Sequence, residues 1–208
     1  NILAKKSNLF FNLHRASREI LKAGEVWIVE GPADCMALWQ VGVKNVVAVN
    51  GMFLSDANLA DLRRFNGDKK LRLIVAIDSR PGQKVGEEKE HFARRLDTHL
   101  KNERTFLEKL LPIGEVLRVK YPKGMKDMAD WMESGKLDPN GIEKKDAIED
   151  WMEHEYDKEE MKKASPGEIA AFQEKTAGLI AKVKSEVVMD IYIKRYSELL
   201  EIGAKKFS

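Results

Sequence analysis

Two apolar runs in this chain end in an acid, and a third leads into an acidic loop. "VWIVE" (26–30) closes on Glu30, with Gly31-Pro32 behind it and Asp34 four residues on. Leu73 to Ile77 is followed by Asp78, and the stretch around 114–120 leads into "KGMKDMADW", which carries Asp127 and Asp130. A carboxylate at the end of a buried strand is costly unless it is paired, hydrogen-bonded or metal-bound. Three such acids at one edge of a parallel sheet would form a hard oxygen-ligand set, which suits Mg²⁺ or Mn²⁺. Glu30 and Asp34 alone read more readily as turn and cap residues than as a catalytic or metal pair, since an acid at the start of a helix is favoured by the dipole. Asp130 reads as a helix-start residue. Lys123 and Lys126 flank the third acid and could hold phosphates or simply face water. The four histidines have no ligand spacing beyond His91 and His99, two helical turns apart.

The elements that must position these acids alternate. Residues 9–23 have helical apolar spacing, with Gly24 as C-cap. Strands are expected at 26–30, 45–49, 71–77 and 114–120. Helices are expected at 33–42, from Ser55 to about Phe65, from about Gly86 to Leu110, and over "DMADWMESG". Strands alternating with helices imply an α/β fold with a parallel sheet covered on both faces. After about residue 140 the strands stop, and 142–162 reads as a solvated, charged helix. Ser165, Pro166 and Glu168 then form a capping box opening a helix whose buried face carries Ile169, Phe172, Thr176, Leu179, Ile180 and Val183. In the last helix Val187, Val188, Ile191, Tyr192, Leu199 and Leu200 are expected to line one face. The expected organisation is a basic lead-in helix at 1–24, an α/β domain at 25–140 and a helical subdomain at 141–208. Trp39, Trp131 and Trp151, like Met36, Met128 and Met132, read as packing.

"VEGPADCMALWQVGVKNVVAVNG" resembles the first motif of the Toprim fold. The order of motifs is similar to that of DnaG-type primases, bacterial or from phages and mobile elements. "LFFNLHRASREILKAGEVWIVEG" resembles their lead-in helix and strand, "KDMADW" their lysine–aspartate motif, and "EKTAGLIAKVKSEVVMDIYIKRYSELLEI" the helical end of their polymerase domain. The resemblance implies a Toprim-like parallel sheet with flanking helices and a small C-terminal helical subdomain. It implies DNA-templated synthesis of RNA primers by metal-dependent nucleotidyl transfer. Glu30, Asp34 and Asp78 would be catalytic. Glu30, Asp78 and Asp127 would hold Mg²⁺ or Mn²⁺, and Gly31, Arg80, Lys123 and Lys126 would meet nucleotide phosphates. Arg15 and Arg18 would touch template. The implied partners are single-stranded DNA, nucleoside triphosphates and a replicative helicase reached through regions outside this chain. A basic subdomain and a zinc-binding domain are expected upstream, and the chain, which begins at Asn1, is read as a fragment.

One departure bears on activity. Where the family's Asp-x-Asp motif has its second aspartate, this chain has Arg80, in a turn one residue shorter; Asp68, Glu87 and Glu88 are poorly placed to replace it. The exchange changes the metal's field by two charges. Either Arg80 grips a phosphate directly, or it disables the site unless it swings out to solvent. The alternatives are therefore a degenerate Toprim module that binds nucleic acid or a replisome partner without catalysis, and a Toprim nuclease.

The bulk numbers exclude more than they assign. The chain has 208 residues, 43% hydrophobic and 34% charged, with a net charge of +2. That is enough for a real core. Lys5, Lys6, Arg15, Arg18 and Lys22 make the amino-terminal edge basic. Cys35 is the only cysteine, which excludes a disulfide and a cysteine zinc ribbon and suits the cytoplasm. No apolar run approaches a membrane span, so no membrane partner is expected.

Overall fold

The computed structural model describes residues 9–67, 70–155 and 164–204, the side chains as far as 198. Lys5, Lys6, Asp68 and the side chains of Leu199 and Leu200 lie outside the described residues.

The elements run α1 (Leu13–Ala23), β1 (Glu25–Val29), α2 (Pro32–Gln40), β2 (Val46–Ala48), α3 (Asp56–Arg64), β3 (Arg72–Ala76), α4 (Lys89–Leu110), β4 (Glu115–Val119), α5 (Met128–Glu133), β5 (Lys144–Asp146), α6 (Ala147–Glu155), α7 (Pro166–Ile180) and α8 (Glu186–Ala204). The sheet order is β2-β1-β3-β4-β5. β1 pairs in parallel with β2 and with β3, and β3 with β4. The chain moves outward from β1 to β2, then crosses back over β1 to place β3 on its other side. The direction of winding therefore reverses between β1 and β3, and the carboxyl ends of such strands flank a crevice.

Val26–Val29 and Leu73–Ala76 are buried throughout, as their unbroken apolar runs require. One face packs Trp27, Val29, Ile74 and Ala76 against Cys35 and Leu38 of α2 and against Met128 and Trp131 of α5. Entry to β4 depends on Gly114, where a Cβ would lie 2.0 Å from the Leu71 carbonyl oxygen.

The described residues fall into two compact units, one ending at Lys145 and the other starting at Asp146. In the second, Ser165 and Glu168 form the expected reciprocal cap. Phe172, Thr176, Leu179, Ile180 and Val183 are buried, and the Tyr192 hydroxyl donates to Asp146.

Several expectations are corrected. A strand does occur beyond residue 140: β5 reads Lys-Lys-Asp and has no apolar run to announce it. The helix following it is not simply solvated, because α6 buries Ala147, Ile148, Trp151 and Met152. The first helix starts at Leu13; ahead of it, Phe11 forms an antiparallel bridge to Ala48. Met36 is exposed, since α2 turns positions 34, 35, 37 and 38 inward. Val187 and Ile191 are exposed as well. Tyr192 is buried and Val188 half-buried, so the inward stripe of α8 runs one position further on.

Candidate active site

The β1–β3 register sets Val29 opposite Ala76. Glu30 and Asp78 consequently leave neighbouring strands side by side at the reversal point. The Gly51 N–H donates to the Glu30 carbonyl (3.1 Å) and the Val49 N–H to the Val29 carbonyl (3.1 Å), fixing the turn after β1. Gly51 has a φ of +116°, which favours glycine there. Asp34 is buried, and both its oxygens are used. Oδ2 accepts from the Gly31 N–H (3.1 Å), and Oδ1 from the Ala129 N–H (3.2 Å) at the start of α5. It therefore joins the first and third acidic loops from within.

Asp78 and Asp127 converge on one point, occupied here by an ammonium group. Lys126 Nζ lies 3.0 Å from Asp78 Oδ2 and 3.3 Å from Asp127 Oδ2. The Ser79 N–H donates to the Lys126 carbonyl (2.7 Å), tying the two loops together. Asp127 also caps α5 through Asp130 N–H (2.8 Å). The acids feel one another. Burial, and then the neighbouring Asp78 charge, raise the Glu30 carboxyl above its ordinary value, although the Asp78 N–H works against this. Burial likewise raises Asp34, with Asp127 and Asp78 adding to it. The two aspartates hold the Lys126 ammonium well above the ordinary lysine range.

Arg80 neither reaches into this cluster nor swings out to solvent. Its guanidinium forks onto Glu103 of α4, with Nε to Oε2 at 3.0 Å and an amino group to Oε1 at 2.8 Å. Glu103 is fully buried and the Arg80 side chain only 14% exposed. Arg118 of β4 pairs with the same carboxylate and also donates to the Asp78 carbonyl (3.4 Å). Beside this group the loop 82–87 is tied to α4 by Arg95, which donates to Glu87 and to the Gly82 carbonyl. Asp78, Arg95 and His99 line two adjoining clefts of about 680 Å³ and 500 Å³. Lys84 and Lys126 face the larger cleft and Glu30 the smaller.

The site thus brings Glu30, Gly31, Asp34, Asp78, Lys126 and Asp127 together. Arg15, Arg18 and Lys123 are exposed, and none of them lines these clefts. Among the described residues no three acidic, histidine or cysteine side chains are drawn into a coordination set. The donors still fit a hard cation held by one or two carboxylates, water and substrate phosphates, the usual manner of Mg²⁺. A cation already bridges Asp78 and Asp127, and that lysine side chain is 65% exposed and free to turn outward.

Glu103, Arg118, Arg95 and His99 are absent from the sequence-derived site. A signal existed for two of them. Glu103 shares the inward face of α4 with Phe106, Leu107 and Leu110, and Arg118 interrupts an apolar strand. Charges in such places need buried partners.

Residues 24–106 match the Toprim domain family. The chain is 41% identical over 63 residues to the DNA primase of Mycobacterium leprae, a stretch covering 30% of this chain and 10% of that protein. In fold it is similar to the RNA polymerase domain of Mycobacterium tuberculosis primase DnaG (TM-score 0.61, 22% identity, 95% of this chain and 58% of that one). It is also similar to a DnaG primase catalytic domain bound to single-stranded DNA (TM-score 0.62, 17% identity, 97% and 58%). The chain therefore spans little more than half of these catalytic domains. The resemblance to DnaG-type primases read from the motifs is borne out, and with it the α/β sheet and the helical C-terminal part. Among the described residues no helix is long and apolar enough to cross a membrane.

Proposed function

We propose, for a chain with a Toprim domain and the fold of DnaG primase catalytic cores, that it supplies the nucleotidyl-transfer centre of a primase making RNA primers on single-stranded DNA. The observation that carries this reading is the convergence of Asp78 and Asp127 on one cation position, with Glu30 on the adjacent strand. In this reading Asp78 and Asp127 hold Mg²⁺ or Mn²⁺ with water and substrate phosphates, and Glu30 stands beside them on the adjacent strand. A bound ion would neutralise the nucleoside triphosphate and activate the primer 3′-hydroxyl for attack on the α-phosphate, with the α–β anhydride bond breaking and pyrophosphate leaving.

The chain's own residues do the rest. Lys126 releases its aspartates and meets phosphate oxygens, with Lys84 on the same cleft and Lys123 and the Gly31 backbone close to the acidic loops. Glu30, its carboxyl lifted by burial, can take a proton from the attacking hydroxyl. Asp34, its oxygens engaged by backbone, holds the loops in place instead of touching the substrate. Arg15 and Arg18, exposed on α1, offer phosphate-backbone contacts to template. A replicative helicase would be met through regions outside this chain, in the cytoplasm.

The test is incorporation of labelled ribonucleotides on a single-stranded DNA template with Mg²⁺ or Mn²⁺. Template-dependent RNA that disappears in Asp78→Asn supports the reading. Nicking of supercoiled DNA would replace it with a nuclease, and DNA binding with neither activity would replace it with a non-catalytic module.

A further inference from the structure

Arg80 stands two residues from Asp78, on the same turn, so its long side chain has the reach to pair with that carboxylate. A guanidinium so placed would occupy the position a divalent ion needs, because it matches a carboxylate in a two-point fork. In the structure the fork is instead spent on Glu103, which comes from α4, 23 residues further along the chain. Glu103 has no exposed side-chain surface and also pairs with Arg118, which reaches the Asp78 carbonyl. A carboxylate on the inward face of an amphipathic helix costs desolvation wherever an apolar residue would fit. Here it lies behind the arginine that departs from the Asp-x-Asp pattern.

We propose that Glu103 is a positioning residue for the acidic cluster: it draws the Arg80 guanidinium away from Asp78, so that a divalent cation arriving there has the exposed Lys126 ammonium to displace and not a forked guanidinium. This rests on the metal-binding reading above. Arginine at position 80 is compatible with that reading because Glu103 holds it. Arg118, anchored on the same carboxylate, steadies the Asp78 backbone from below.

The experiment is a calorimetric Mn²⁺ titration of the whole chain and of Glu103→Gln, Arg80→Ala and the Arg80→Ala/Glu103→Gln double variant, each checked for folding by circular dichroism. Freeing the guanidinium should weaken Mn²⁺ binding about tenfold or more in Glu103→Gln, the scale of one lost or gained charge-assisted contact. Removing the freed arginine should restore binding to within about threefold of the parent, and Arg80→Ala alone should stay in that range. A purely structural role for Glu103 would not be rescued by deleting its partner. A double variant as weak as Glu103→Gln, or a Glu103→Gln that binds like the parent, overturns the proposal. Should Glu103→Gln melt below the assay temperature, Glu103→Asp keeps the charge on a shorter side chain and takes its place, with Arg80→Ala as its rescue. Binding that emerges only when Arg80 is deleted shows the guanidinium already blocking the site, which overturns the positioning role but not the metal site. No binding by the parent or any variant overturns the metal reading and the positioning role with it.

Discussion

The carboxyl ends of β1 and β3 present the same chemistry, an acid beyond a buried strand, but they are held by opposite means. At β1 the chain holds itself. The Asp34 carboxylate accepts from the Gly31 N–H three residues back, and backbone bonds from Val49 and Gly51 pin the turn. At β3 the turn is held from a distance, by Glu103 on α4, Arg118 on β4 and Lys126 ahead of α5. The first arrangement is backbone bonding around a single carboxylate. The second is a set of charges. On the reading proposed above, an arginine for an aspartate would be absorbed at the β3 end, where remote side chains can compensate. The remote contact at the β1 end is a backbone one, the Ala129 N–H on Asp34.

The largest effect is expected on the β3 side. Glu103→Ala leaves buried arginine charge behind it and should cost about 3–5 kcal/mol of stability, read by denaturant unfolding. A loss near zero would mean the ionic group is not what holds that loop. On the β1 side, Asp34→Ala deprives the Gly31 and Ala129 N–H groups of their acceptor. It should cost about 1–3 kcal/mol, with faster amide exchange at both positions. Exchange unchanged at Ala129 would show that Asp34 does not join the two loops.

The smallest effect concerns pH. Glu30 is raised above its unfolded value, so its ionisation costs the folded state as pH rises through that range. Glu30→Gln should therefore raise the melting temperature at pH 7, and only slightly, because water screens a half-buried group. Below about pH 3, where the parent carboxyl is protonated in both states, the gain should vanish. A destabilised variant at pH 7 would mean the carboxylate is stabilised where it sits.

This contrast also explains what the sequence could and could not show. The acids after β1 and β3, the Ser55 and Ser165 caps, the Gly24 stop and the alternation of strands and helices are local patterns, and the structure repeats them. The partner of Arg80 is not local. Nothing in "DSRPGQ" indicates that the guanidinium turns onto a helix residue far along the chain, so a phosphate contact and a disabled site both stayed open. β5 was missed for a related reason: its three charged residues owe their strand geometry to the sheet edge and not to apolar period. Met36, Val187 and Ile191 show that an apolar residue in a helix declares its face only once its neighbours are placed.

The central claim is that Glu30 and Asp78, on adjacent strands, form a working cation site despite Arg80. Calorimetric titration of Mn²⁺ into the parent chain beside Glu30→Gln and Asp78→Asn tests it most directly. The expected result is binding in the parent that weakens about tenfold or more in both variants, the loss of one ligand or one near charge. No heat in the parent at millimolar metal, or variants that bind as the parent does, would contradict it.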